Sequence, residues 1–237
     1  MVRSHVGIDP EWECQVARSV PTAVVTKLKE KFILEKARRH WATLMSTLGN
    51  PKGSETVLKD LLARYNEPHR GYHNLTHIVA MLDELELVGE NDSAVALAIW
   101  FHDAVYDPKA KDNEEQSAQL AKDWIKQIGL PDLLGEQVND LVMDTKHTAV
   151  PVNRAAQILV DIDLMVLGKP EKEFDAYEVR IRKEYEWVPQ PDFCAGRSKI
   201  LQSFLDRPSI YSTKLFRDKY ESVARKNLER SVEQLRK

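Results

Sequence analysis

Apolar residues recur three and four positions apart over long stretches, and only nine residues are glycine, so the pattern predicts helices rather than strands and an all-α fold. A first long helix starts at Pro21 and carries Val24, Leu28, Phe32 and Leu34 toward Leu48, where Gly49-Asn50-Pro51 stops it. A second runs from Ser54 to about Tyr65 on a stripe of Leu58, Leu61 and Leu62 and ends before Asn66-Glu67-Pro68. Asn74 suits the N-cap of a third, whose apolar positions are Ile78, Leu82 and Leu85. Ser93 caps a fourth, AVALAIWF, which is apolar nearly all round, as a central buried helix should be. After the polar loop DPKAKDN the pattern predicts helices near 113–128, 132–146, 153–167, 171–185, 196–206 and 213–236, with Trp187 to Pro191 as a proline-bearing turn.

Composition narrows the classes. With 237 residues, 43% of them hydrophobic, the chain can bury one sizeable core, and residues 21–237 read as a single helical domain behind an irregular leader, 1–20. The 34 Lys+Arg against 37 Asp+Glu give a formal charge of -3, which offers no electrostatic case for gripping nucleic acid or an anionic membrane. Cys14 and Cys194 match no metal or redox spacing, which argues against a disulfide framework and for a reducing compartment. No apolar run is long enough to span a bilayer, and the N-terminus lacks the apolar stretch of a signal peptide, so a cytoplasmic location is expected.

The chemistry concentrates in the middle of the chain, where five of the seven histidines fall between His69 and His147. Phe101-His102-Asp103 ends the most apolar helix in two groups able to bind metal, and a carboxylate buried there is costly unless a cation partners it. His77 lies 25 residues earlier, near the start of its own helix, and Asp161 and Asp163 interrupt the apolar run ILVDIDLMVL. Those two aspartates are about 200° apart on a helix, so only one can face a given ion. Two imidazoles and two carboxylates make a mixed nitrogen and oxygen site suited to Mn, Fe, Co, Ni, Zn or Mg. Such a site leaves room for water and a substrate oxygen, and a bound metal lowers the water's pKa toward neutrality. Taken alone, His102-Asp103 reads better as a hydrogen-bonded core histidine and the last polar residue of its helix; the combination of YHNLTH, FHD and a buried DID is what favours a site.

The order His77, His102-Asp103, Asp163 resembles the H…HD…D signature of the HD superfamily of metal-dependent phosphohydrolases, over roughly residues 65 to 167. The tail segments GRSKILQSFLDRPSIYSTKLF and ESVARKNLER are similar to a bacterial-type subfamily of HD phosphohydrolases. The resemblance implies an HD-type helical domain with additional N- and C-terminal helices, and a divalent metal held by His77, His102, Asp103 and Asp163. The family string selects Asp163 over Asp161, which is then expected to orient a ligand histidine. Tyr72-His73-Asn74-Leu75-Thr76-His77 is similar to the YHNxxH string of cyclic-nucleotide phosphodiesterases, which implies that His73 is a general acid; the other reading is a histidine that only bonds backbone at the helix cap. Asp103 to Asp107 resembles the HDxxxD string of guanosine-polyphosphate hydrolases, which implies that Asp107 helps activate water. Asn113-Glu114-Glu115 and Thr145-Lys146-His147 recur in the subfamily, which makes Glu114, Lys146 and His147 candidates for contacts to substrate or to the metal-binding residues, Glu114 as a proton acceptor and Lys146 and His147 against phosphate oxygens; Glu114 and Lys146 read equally well as charges in the first and last turns of helices. Arg197, Arg207, Arg225 and Tyr211 are further candidates for clamping phosphate.

The expected function is metal-dependent hydrolysis of a phosphate ester, with a nucleotide-like small molecule as partner and neither membrane nor nucleic acid. Nucleotidase, cyclic-nucleotide phosphodiesterase and guanosine-polyphosphate hydrolase remain open. No glycine-rich phosphate loop is present, so phosphate must be recognised by metal and side chains. Two other classes stand beside it: a metal-bound but catalytically idle module that binds a nucleotide or a protein partner, and an oxygenase, for which His147 is the only obvious spare histidine of the motif region.

Overall fold

The computed structural model describes residues 22–237, so the expected leader and Pro21 lie outside the described residues. Among the described residues every regular element is a helix. In chain order these are α1 (Thr22–Thr47), α2 (Ser54–Arg64), α3 (Leu75–Leu87), α4 (Ser93–Phe101), α5 (Asn113–Gln127), α6 (Asp132–Asp144), α7 (Arg154–Asp163), a 3₁₀ turn (Leu164–Gly168), α8 (Glu171–Glu184) and α9 (Gln190–Leu205). The last helix begins at Lys214–Phe216, passes through a π turn at Arg217–Glu221 and continues as α10 (Ser222–Leu235). No helix among these residues is long and apolar enough to cross a membrane.

The centre is α4, which buries Ala94, Val95 and Leu97 through Phe101 against α1, α3, α5, α6 and α7. Asp92 rather than Ser93 caps it, its carboxylate accepting from the Ala94 N–H at 2.8 Å. Trp41 of α1 meets Trp100 edge-on at 5.3 Å between ring centres. Burying one such side chain is worth about 1.5–3 kcal/mol, against about 0–1 kcal/mol for an exposed ion pair, so apolar packing sets the position of α4. His102 and Asp103, directly after it, inherit that position.

The carbonyls left unpaired at the C-terminal end of α4 find partners on the α2–α3 connection. Tyr65 donates its hydroxyl to Trp100 O at 2.9 Å. The fully buried Arg70 donates to Asp103 O at 2.7 Å, to Ala104 O at 3.2 Å and to His73 O at 2.9 Å, a favourable place for a cation beside a helix C-terminus. One guanidinium thus staples the segment carrying His73 and His77 to the segment carrying His102 and Asp103.

The C-terminal helices close the other side. A Cβ on Gly168 would lie 2.5 Å from Tyr220 Cβ and 2.9 Å from Tyr220 O, so the 3₁₀ turn and the π turn meet at a distance only glycine permits. Asn227 is buried and donates to Leu167 O and Lys169 O, both at 2.9 Å. Two expectations are corrected here. The helix expected from 196 begins at Gln190, because Pro191 falls in its first turn, where the missing N–H would be unpaired anyway. The helix expected to run to 167 ends at Asp163 and tightens into the 3₁₀ turn.

Candidate metal centre

Four elements converge on one point. Asn74 caps α3 by accepting from Thr76 N–H at 2.9 Å, which sets His77 in its first turn, while α4 delivers His102 and Asp103 and α7 ends on Asp163. The Nε2 atoms of His77 and His102 are 3.3 Å apart. Asp163 Oδ1 lies 3.2 Å from His77 Nε2 and 3.8 Å from His102 Nε2. Asp103 Oδ2 lies 3.0 Å from His102 Nε2 and 3.8 Å from His77 Nε2. Donors about 2.0–2.2 Å from a common ion stand about 3–3.5 Å from their neighbours in tetrahedral or octahedral arrangement, so these spacings suit a transition metal or Mg. His77, His102 and Asp163 place donor atoms within 4.8 Å of one another, a grouping able to hold a metal ion, and Asp103 joins it on the His102 side.

The tautomer fits as well. His102 Nδ1 lies 3.0 Å from Ile99 O, which can only accept, so that nitrogen carries the proton and a neutral ring turns the Nε2 lone pair toward the cluster. Burial opposes charge on His102, but the Asp103 carboxylate beside it outweighs burial and holds the imidazole pKa up at about 9. His77 is kept neutral, its pKa lowered by burial. Burial also opposes charge on Asp103 and Asp163; the His102 charge holds Asp103 below the ordinary carboxylate range, and hydrogen bonds from His147 and His77 do the same for Asp163. Two ionised carboxylates therefore share a buried cluster with too little positive charge, and a proton on His102 or a divalent cation corrects this. The imidazoles form the floor, with His77 and His102 side chains 2% exposed, whereas Asp103 and Asp163 are 17% and 15% exposed and open the cluster to one side.

The two aspartates of α7 point apart, as their helical phase requires. Asp163 Oδ1 faces the imidazoles, and its Oδ2 accepts from His147 Nε2 at 2.8 Å. Of the two contacts expected of His147, to substrate or to a metal-binding residue, the structure shows the one to Asp163. The histidine follows α6 in a left-handed backbone conformation, φ 55°, and braces the carboxylate from behind, with Nδ1 buried and without a hydrogen-bond partner. Asp161, expected to orient a ligand histidine, instead accepts from Ser212 N–H at 2.6 Å and Thr213 N–H at 2.7 Å, tying α7 to the start of the last helix. Asp163→Asn is accordingly expected to lose metal affinity. Asp161→Asn should keep it and lower stability by about 1–3 kcal/mol, because two buried donors lose a charged acceptor. Metal titration and melting of both variants check this, and the reverse order of metal loss would exchange the two assignments.

A second constellation borders the first. Glu184, the last residue of α8, has a fully buried side chain and accepts from Tyr72 N–H at 2.8 Å, His73 N–H at 2.9 Å, His73 Nδ1 at 2.7 Å and the Tyr106 hydroxyl at 2.9 Å. These bonds to His73 and to the backbone overcome burial and lower its pKa. Burial disfavours charge on His73 too, but the Asp103 charge and the Glu184 bond prevail, so its pKa is raised. Its Nδ1 is spoken for, and Nε2 is left for a ligand, on a side chain 24% exposed. The approach of α8 depends on Gly71, where a Cβ would lie 2.5 Å from Arg180 O. Neither Glu184 nor Tyr106 was marked by sequence; Arg70 was equally silent.

The remaining candidates separate into two groups. Asp107 is exposed, and its carboxylate accepts from Lys109 N–H at 2.9 Å and so closes a turn. Arg197 is buried between Glu178 and the Tyr177 hydroxyl, and Tyr177 packs on Tyr72, which packs on His77, so the arginine supports the cluster from behind instead of facing a phosphate. Arg207 donates to His147 O at 2.7 Å, Arg225 pairs with Glu221, and Tyr211 donates to Leu164 O at 3.1 Å, all three knitting the C-terminal segment together. Glu114 is half-buried in the first turn of α5, and Lys146 pairs with Glu115 at the surface.

His40, Asp83 and Glu86 also have the spacing of a metal group, but Lys36 holds Asp83 at 2.6 Å and Arg39 holds Glu86 at 3.3 Å, so local cations already balance it. Neither a scan of protein-family models nor searches of curated proteins and of solved structures finds a match for this chain.

Proposed function

We propose that the chain is an HD-type metal-dependent phosphohydrolase that binds a divalent cation through His77, His102, Asp103 and Asp163 and cleaves a phosphate ester of a nucleotide-like small molecule. The observation that carries this reading is the convergence of two imidazole Nε2 atoms and two ionised carboxylates at spacings of 3.0–3.8 Å, with His102 Nδ1 tied to Ile99 O so that Nε2 faces the cluster. The substrate class comes from the motif resemblance. A cation bound there supplies Lewis acidity and lowers the pKa of water.

The side chains of the chain supply the rest. His73, with a pKa raised by Asp103 and Glu184 against burial, is biased toward its protonated form, and its Nε2 is the nitrogen left to give a proton to the leaving oxygen. Glu184 holds that ring through Nδ1, and the Tyr106 hydroxyl holds Glu184. The Lys146 pair with Glu115 is exposed, hence weak and exchangeable, so the ammonium can turn to a phosphate oxygen, with Glu114 beside it as a proton acceptor.

The test is phosphate release from a panel of nucleotide mono-, di- and polyphosphates and cyclic nucleotides with added Mn, Mg, Fe, Co, Ni or Zn. Metal-dependent turnover of at least one ester is expected. Stoichiometric metal with no turnover on any of them would leave a metal-bound binding module instead.

A further inference from the structure

Away from the His/Asp cluster, α1 and the α2–α3 segment enclose a groove of about 1070 Å³. None of the four proposed metal ligands lines it. Cations along its walls are Lys29 and Arg38 on α1 and Arg180 and Lys183 on α8. All four are exposed, whereas Arg70, which also lines the groove, is buried and paired with Glu67. Among the described residues, these four form no ion pair and donate no hydrogen bond. The acidic lining residues are Glu30 and Glu67, and Arg70 holds Glu67 at 2.9 Å, so four unpaired cations meet one unpaired carboxylate.

The groove is not purely ionic. The Phe32 ring is 57% exposed and lines it. An aromatic face beside a set of free cations suits a ligand with a planar ring at one end and several negative charges at the other. The volume fits one small molecule, at the upper end of such sites.

We propose that this groove binds a nucleoside polyphosphate, with its phosphates between Arg38, Arg180 and Lys183 and its base on Phe32, at a site separate from the metal centre. The occupant would lie against the helix that ends in Glu184 and beside Asn74, the neighbour of His73.

The test titrates ATP and GTP into the full chain carrying His102→Ala, in buffer containing a chelator, so that neither metal nor turnover at the His/Asp cluster contributes and failure of the phosphohydrolase reading does not affect the result. One saturable site is expected. The double variant Arg180→Glu/Lys183→Glu should weaken it by at least about tenfold, since two charge-assisted contacts become repulsive. Arg38→Glu, on the opposite wall, should weaken it too, while Lys199→Glu, remote from the groove, should not; circular dichroism checks that each variant is folded. Tripolyphosphate should bind more weakly than either nucleotide, and equal affinity would overturn the nucleoside assignment. Absence of binding, binding indifferent to both wall variants, or tighter binding of a short oligonucleotide would overturn the proposal.

Discussion

Replacing His102 or Asp103 with alanine is expected to abolish metal retention and, with it, phosphate release, while leaving a helical fold. Each change removes one donor from a cluster whose spacings are 3.0–3.8 Å, and leaves the α4 packing, which depends on apolar side chains, in place. The pH dependence of the unmodified chain gives the same assignment a second readout. In the absence of the cation, the Asp103 charge holds His102 protonated up to about pH 9, so metal must displace that proton. Metal affinity should therefore climb with pH until about 9 and then level off. The sign for stability is the opposite: a raised histidine pKa stabilises the metal-free fold fully below the unfolded value of about 6.5. That contribution is lost as pH rises through about 9. Calorimetric titration with metal across this range checks both, and full metal content or a normal rate in either alanine variant would end the ligand assignment.

The second large effect concerns His73 and the carboxylate behind it. His73→Ala should keep its metal and lose about two to four orders of magnitude in rate, the usual contribution of a general acid. Glu184→Gln should lose rate as well, and for a distinguishable reason. A glutamine can still accept from the Tyr72 and His73 N–H groups, but it no longer supports a charged His73, so the pKa of that ring falls. The alkaline limb of the pH–rate profile should then move to lower pH, a shift that a merely structural glutamate would not cause. An unchanged profile with a lowered melting temperature would make Glu184 a packing residue only.

Legibility from sequence followed the range of the interaction. α4 could be read because eight consecutive apolar residues fill it on all sides, and its burial makes His102-Asp103 conspicuous. The opposite orientation of Asp161 and Asp163 could be read from helical phase alone. What Asp161 binds could not, because Ser212 and Thr213 lie 51 and 52 residues away. Glu184 meets His73 across 111 residues and sits in the charge-rich stretch VRIRKEYEW, where one glutamate looks like any other. His147 was noticed, yet its place behind Asp163 depends on a left-handed backbone turn after α6 that no residue type there announces. Pro191 misled because proline ends helices and also begins them, and only the packing of α9 decides which.

The central claim is that His77, His102, Asp103 and Asp163 hold a divalent metal. Elemental analysis of the full chain purified without chelators, beside Asp163→Asn prepared identically, tests it most directly. The account predicts stoichiometric divalent metal in the unmodified chain and little or none in the variant. A metal-free chain that takes up no Mn, Mg, Fe, Co, Ni or Zn, or equal metal in both proteins, would contradict it.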